Sequence, residues 1–238
     1  MIRYTLMRKR LFLFDFDGVL FETALESLEI CSLINNNILP HNYKKEFLKN
    51  RYLIGPAWNY KYLDIMIKEK KSKEWYFDKI NSVEKDDYMS FTKNFFQTRK
   101  NLKDMNYSYW LNIQKPYPFL MNLIETNIFQ SQDMIIISTK DRESINDLLN
   151  HHISEIKNKK IYGKDELSEY DNKYELSKHI FEKSDYDECL FVDDCLDHLK
   201  CFGNKIKTFH AGWGYNDPGA KGLSEQQLIK IINSSLVQ

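Results

Sequence analysis

Residues 10–23 read RLFLFDFDGVLFET, an apolar run that ends in Asp15 and Asp17, with Gly18 directly after them. Burying even one unpaired carboxylate is costly, so a cation, a donor network or a catalytic task must compensate for these two. A second acidic tip lies far along the chain in CLFVDDCLDHL, which carries Asp193, Asp194 and, four residues after the first, Asp197. Between them MIIIST (134–139) ends on Ser138 and Thr139, with Lys140 next. An oxygen-only, carboxylate-rich site suits Mg²⁺, which keeps several waters and takes few protein carboxylates. Gly18 lets the backbone turn sharply and approach a ligand closely.

The elements that would gather these residues can be read from the apolar pattern. LFLFDF (11–16), MIIIST and CLFVDD (189–194) read as parallel strands buried on both faces. KKIYG (159–163) and KIKTFH (205–210) are weaker strands. Helical patterns fall near 116–129, 141–151, 172–183, 194–202 and 224–233. Strands alternating with helices predict an α/β fold with a doubly wound, Rossmann-like, mostly parallel sheet. In such a sheet ligands bind outside the carboxyl ends of the strands, which is where the acids lie. Residues 24–112 break the alternation with repeated helical spacing, and Pro116 and Pro118 mark the return to the sheet. The expected division is a core of 1–23 and 113–238 with a helical cap domain of 24–112.

Composition narrows the function classes. Among 238 residues, Lys and Arg number 34 and so do Asp and Glu, a balance that argues against a nucleic-acid binder. The 15 Phe, 15 Tyr and 4 Trp support an ordered core. Cys31, Cys189, Cys195 and Cys201 form no C-x-x-C pair, so reduced thiols are expected. The basic MIRYTLMRKR precedes only four apolar residues, too few for a signal peptide, and no segment reaches the length of a membrane span. The expectation is a soluble, cytoplasmic protein without membrane or nucleic-acid partners.

The acidic tips also carry a family resemblance. DFDGVLFET resembles the first motif of the haloacid dehalogenase-like superfamily of aspartate-nucleophile phosphatases. IIIST is similar to its second motif and LFVDDCLDHL to its fourth, in order over residues 11–215. The insertion sits where many members carry a mobile cap. The resemblance implies a Mg²⁺-dependent phosphatase acting on a small phosphorylated metabolite. Asp15 would be the nucleophile that forms an aspartyl-phosphate, and Asp17 the general acid and base. Side chains at i and i+2 of an extended segment share a face, so both acids can meet one phosphate. Asp193 would bind the metal with Asp15 and the backbone carbonyl of Asp17, while Asp194 or Asp197 would hold the metal's waters. Ser138 would donate to a phosphoryl oxygen, with Thr139 as its alternative. The third motif is a lone lysine, for which Lys173 in EYDNKYELSKHI and Lys164 in IYGKDELS both qualify. Lys173 opens a helix before the fourth motif, as the family's lysine does, although Tyr174 stands where a proline is usual. Arg51, beside the Gly-Pro break of RYLIGPAWNY, is a candidate substrate contact.

Plainer readings stand beside these. Ser138 could cap the next helix, and either lysine could be a solvated surface residue. His151, His152, His179, His198 and His210 lack metal-ligand spacing and read as surface or packing residues. Nothing near Cys195 in the sequence suggests a depressed pKa. A phosphomutase would use the same Asp15, and a catalytically degenerate binding module would keep the fold without turnover. A dehalogenase would need neither Asp17 nor Mg²⁺.

Overall fold

The computed structural model describes residues 9–126, 134–153 and 159–234. The chain forms two compact units, residues 1–22 with 115–238 and residues 23–114. Among the described residues the first holds seven strands, β1 (Arg10–Phe14), β2 (Phe21–Glu22), β3 (Lys115–Pro116), β4 (Met134–Ile137), β5 (Lys160–Tyr162), β6 (Glu188–Asp193) and β7 (Lys207–His210). Five make a sheet of order β5-β4-β1-β6-β7, and every pairing in it is parallel. β2 and β3 form a separate antiparallel pair. This is the doubly wound α/β architecture expected from the alternation, with strand ends within two residues of the expected ones.

The continuous apolar runs explain why the sheet is covered on both sides. Along β1, Leu11 and Leu13 face one way and Phe12 and Phe14 the other, and all four are buried. Leu11 and Leu13 join Ile135, Ile137 and Phe191 in a cluster with Leu176 and Ile180. Those last two come from the helix Lys173–Glu182, and Leu199 of Leu196–Lys200 packs there as well. On the opposite face Phe14 meets Phe119 of the helix Pro118–Glu125, with ring centres 5.8 Å apart. Pro118 opens that helix, where its missing N–H costs nothing.

The second unit is helical throughout its described residues, with helices Ala24–Ile34, Tyr43–Lys49, Asn59–Lys68, Lys73–Asn81, Lys85–Met105 and Tyr107–Asn112, and a 3₁₀ turn at Arg51–Leu53. Its centre is a stack of rings from three helices. Phe47 lies 5.5 Å from Tyr60, and Tyr60 lies 5.2 Å from Phe95, both nearly parallel. The buried Glu26 accepts from the Trp110 indole at 2.7 Å and pairs with Arg99 at 2.9 Å, so its charge is compensated inside the unit. No helix among the described residues is long and apolar enough to cross a membrane.

Candidate active site

The carboxyl ends of β1, β4 and β6 bring distant residues of the first unit together. Asp15 follows β1, and its N–H donates to the Val192 carbonyl of β6, which fixes the strand tip beside Asp193. Carboxylate oxygens of Asp15, Asp193 and Asp194 lie within 4.8 Å of one another, and all three residues are buried. Like charges this close repel strongly in a low-dielectric setting, so a cation must lie among them.

Lys173 supplies part of that charge. Its Nζ sits 2.9 Å from Asp15 Oδ1 and 2.8 Å from Asp193 Oδ2, and its side chain is only 4% exposed. A lysine here is disfavoured twice, by burial and by the positive end of the helix it opens. The side chain of Asn172 caps that helix through the Glu175 N–H, which leaves Lys173 free to turn inward. Burial pulls the ammonium's pKa down, but Asp15 and Asp193 outweigh it and raise it above its ordinary value.

The two carboxylates respond oppositely to the same lysine. Burial dominates at Asp15 and pushes its pKa up to about 6, despite Lys173. At Asp193 burial is outweighed by Lys173 and by His198, and the pKa falls to about 2. The difference lies in the donors. Asp193 also accepts from the Cys195 N–H at 2.8 Å and sits 3.0 Å from His198 Nδ1. Hydrogen bonds to the charged form favour it.

Asp17 and Ser138 both contact Lys140, one at its ammonium and the other at its backbone N–H. The Asp17 side chain is partly exposed, and its Oδ1 lies 3.3 Å from Lys140 Nζ. Ser138 is fully buried and its Oγ accepts from the Lys140 N–H at 3.2 Å. Ser138 does not cap the following helix, Arg142–His152. Asp141 does so, accepting from the Ser144 N–H at 2.8 Å.

Asp194 is wedged between two glycines. Gly18 has φ +85°, and a Cβ there would come within 2.1 Å of Asp194 Oδ2. A Cβ on Gly214 would lie 2.3 Å from the Gly18 carbonyl and 2.4 Å from Asp194 Cβ. The Tyr215 N–H donates to Asp194 Oδ2 at 2.6 Å, and the Trp213 indole donates to the Val19 carbonyl at 3.0 Å. The 213–215 loop thereby fixes both the acid and the turn after Asp17.

Other expected site residues lie elsewhere. Asp197 is 83% exposed and pairs with Lys200 at 2.7 Å, so it does not join the acidic cluster. Lys164 is exposed at the start of the short helix Lys164–Leu167, whereas Lys173 is inside the cluster. Thr139 is exposed. Arg51 belongs to the helical unit, where it donates to the Ile54 carbonyl at 3.3 Å and lies 5.5 Å above the Tyr60 ring centre.

Two residues escaped the sequence reading. Lys140 was visible only as the residue after IIIST, yet it lies two positions beyond Ser138, the same spacing that joins Asp15 and Asp17. His198 had read as a surface or packing residue. It contacts Asp193 instead, and hydrogen bonds to Asp193 and Cys195 raise its pKa to about 10 against the pull of Lys173 and burial. The same contact corrects the expectation for Cys195, whose thiol is lowered because the His198 bond outweighs burial.

No family model matches the sequence, and no curated protein matches it. Solved structures do. A candidate phosphoglycolate phosphatase from Lactobacillus delbrueckii subsp. bulgaricus superposes with a TM-score of 0.67 at 14% identity, over 95% of this chain and 99% of that one. A haloacid dehalogenase-like family hydrolase from Streptococcus pneumoniae gives 0.62 at 13%, over 94% and 98%. The chain has the haloacid dehalogenase-like fold. A third haloacid dehalogenase-like structure, from Bacillus subtilis and bound to magnesium, gives 0.53 at 16%, over 95% and 99%. The haloacid dehalogenase-like fold thus accounts for nearly the whole length of the chain, insertion included.

Proposed function

We propose that the protein is a Mg²⁺-dependent phosphomonoester hydrolase that works through an aspartyl-phosphate on Asp15. The observation that carries this reading is the buried cluster of Asp15, Asp193 and Asp194 with Lys173 among them. Structural neighbours named as phosphatases, and one bound to magnesium, support it.

The donor set fits the ion. Three buried carboxylates present oxygen only, and with Asp17 they outnumber Lys140 and Lys173, so a phosphate dianion would otherwise meet net negative charge. Asp15, Asp193, Asp194 and the backbone carbonyl of Asp17 would hold Mg²⁺, which when bound neutralises phosphate oxygens and relieves the repulsion between carboxylate and substrate.

The remaining chemistry belongs to the chain. An Asp15 carboxylate oxygen attacks phosphorus, the phosphorus–ester bond breaks, and the leaving alkoxide takes a proton from Asp17. In the second half Asp17 removes a proton from water, the water oxygen attacks the aspartyl-phosphate, and the bond to Asp15 breaks. Inorganic phosphate leaves and Asp15 is again a carboxylate. The partial exposure of Asp17 suits proton exchange with water, and Lys140 holds its carboxylate in place. Ser138 and the backbone N–H of Thr139 donate to phosphoryl oxygens, and Lys173 neutralises charge at the phosphate. A small phosphorylated metabolite is the proposed substrate, with its specificity residing in the helical unit. All four cysteines are free thiols, which supports a reducing, cytoplasmic setting.

A phosphomonoester panel tests this with wild type and Asp15→Asn, in Mg²⁺ and in EDTA. Release of inorganic phosphate only by wild type with Mg²⁺ is expected. A folded protein inactive on the whole panel, or an equally active Asp15→Asn, overturns the proposal.

A further inference from the structure

The turn that carries Asp17 is closed by backbone bonds on both sides of that residue. The Phe21 N–H donates to the Phe16 carbonyl at 2.9 Å, and the Gly18 N–H donates to the Phe21 carbonyl at 2.8 Å. β2 (Phe21–Glu22) is therefore tied to the residues directly before and after Asp17. A shift of β2 moves the backbone from which the Asp17 side chain projects. Phe21 is fully buried, with its ring centre 4.7 Å from that of Phe16, so the link between β2 and the turn is packed as well as hydrogen-bonded.

Glu22, the last residue of β2, has a partner elsewhere in the first unit. The Tyr215 hydroxyl donates to Glu22 Oε1 at 3.2 Å, while the N–H of the same tyrosine donates to Asp194 Oδ2 at 2.6 Å. One residue thus joins an acid of the buried cluster, through its backbone, to the strand that anchors Asp17, through its side chain. Trp213 and Gly214 meet the middle of the same turn, at the Val19 and Gly18 carbonyls. Tyr215 meets its far end.

This arrangement bears on proton transfer. A general acid works only over hydrogen-bond distance, so its placement relative to the phosphate sets its contribution. Lys140 restrains the Asp17 carboxylate at 3.3 Å, and the backbone beneath that carboxylate is held from the β2 side.

We infer that Tyr215 is a positioning residue for proton transfer by Asp17. Its hydroxyl, acting through Glu22 and β2, holds the Asp17 turn at a set distance from Asp194. The role in proton transfer rests on the phosphatase reading; the link itself rests on the geometry.

Two phosphomonoesters separate this role from a general loss of structure. An alkyl ester leaves as an alkoxide that must be protonated, whereas p-nitrophenyl phosphate releases a stable phenolate. The alkyl probe is glycerol 2-phosphate, or whichever alkyl ester of the panel wild type turns over faster. Tyr215→Phe keeps the N–H on Asp194 and removes only the hydroxyl. It should lower kcat/KM for the alkyl ester about tenfold and for the aryl ester less than about twofold. Glu22→Ala should behave alike, and Glu22→Gln, which keeps an acceptor oxygen, should recover most of the loss. Hydrogen exchange reads the link without turnover, and across residues 18–22 it should quicken about fivefold in Tyr215→Phe. Equal losses on both esters, an alkyl-ester kcat/KM within about twofold of wild type, or unchanged exchange overturns the inference. Wild type inactive on both esters overturns the phosphatase reading and the catalytic role with it, while exchange still decides the link, so the two failures are distinguishable.

Discussion

The ammonium of Lys173 lies 2.9 Å from the carboxylate of Asp15, and that carboxylate still has a pKa pushed up to about 6. Burial wins over the ion pair at this residue because Asp193 takes most of the hydrogen-bond donors in the cluster. A carboxylate this easily protonated, proposed as the nucleophile, needs every cation near it.

Lys173→Met should therefore move the acid limb of the kcat/KM profile to higher pH. In the proposed mechanism the reactive form of Asp15 is the carboxylate, which exists above its pKa, and removing a neighbouring cation raises that pKa. Turnover at neutral pH is expected to fall about 10²- to 10³-fold, as for other preorganised charges. An acid limb that stays put or moves down would show that Lys173 does not hold Asp15 ionised.

Lys140→Ala should lower kcat more than it raises KM, by about 10²-fold, because it removes the partner of Asp17 at 3.3 Å. Asp197→Asn serves as the contrast. With its side chain 83% exposed on the surface, it should leave both constants within about twofold. Equal losses in the two variants would contradict the geometry.

Gly214→Ala has no room for its methyl group between the Gly18 carbonyl and Asp194. A loss of about 1–3 kcal/mol in stability is expected from denaturant unfolding, together with weaker Mg²⁺ binding. Wild-type stability with wild-type metal affinity would mean that the 213–215 loop does not position Asp194.

Glu188 offers a test of the core far from the chemistry. Burial would raise its pKa, but Lys207 and Arg10 outweigh burial and lower it from its ordinary 4.5. A depressed carboxyl stabilises the fold fully above about pH 4.5, and that contribution is lost as pH falls through the folded-state value. Glu188→Gln should cost about 1 kcal/mol or less at pH 7, and the two proteins should converge in acid. A gap that widens on acidification would reverse the sign.

The sequence made Asp15, Ser138 and Asp193 legible because each follows an unbroken apolar run, and a parallel sheet puts all such ends on one edge. Lys173 was legible through its place before the last acidic strand. Lys140 was hidden because lysines are common after strands, and its pairing with Asp17 appears only in the folded chain. His198 and Cys195 could not be read, since their properties come from the first turn of a helix folding back on Asp193. Asp197 misled for the converse reason. Its spacing suits the acidic motif, but the helix Leu196–Lys200 points it into solvent.

The proposed chemistry rests on Asp15 becoming covalently phosphorylated, and rapid-quench mass spectrometry reads that event. With Mg²⁺ and a turned-over phosphomonoester, the Asp15 peptide is expected to carry one phosphoryl group that disappears on hydroxylamine treatment, and Asp15→Asn should carry none. Turnover at full rate with no label on Asp15 at any quench time, or a label that persists in Asp15→Asn, would contradict the account.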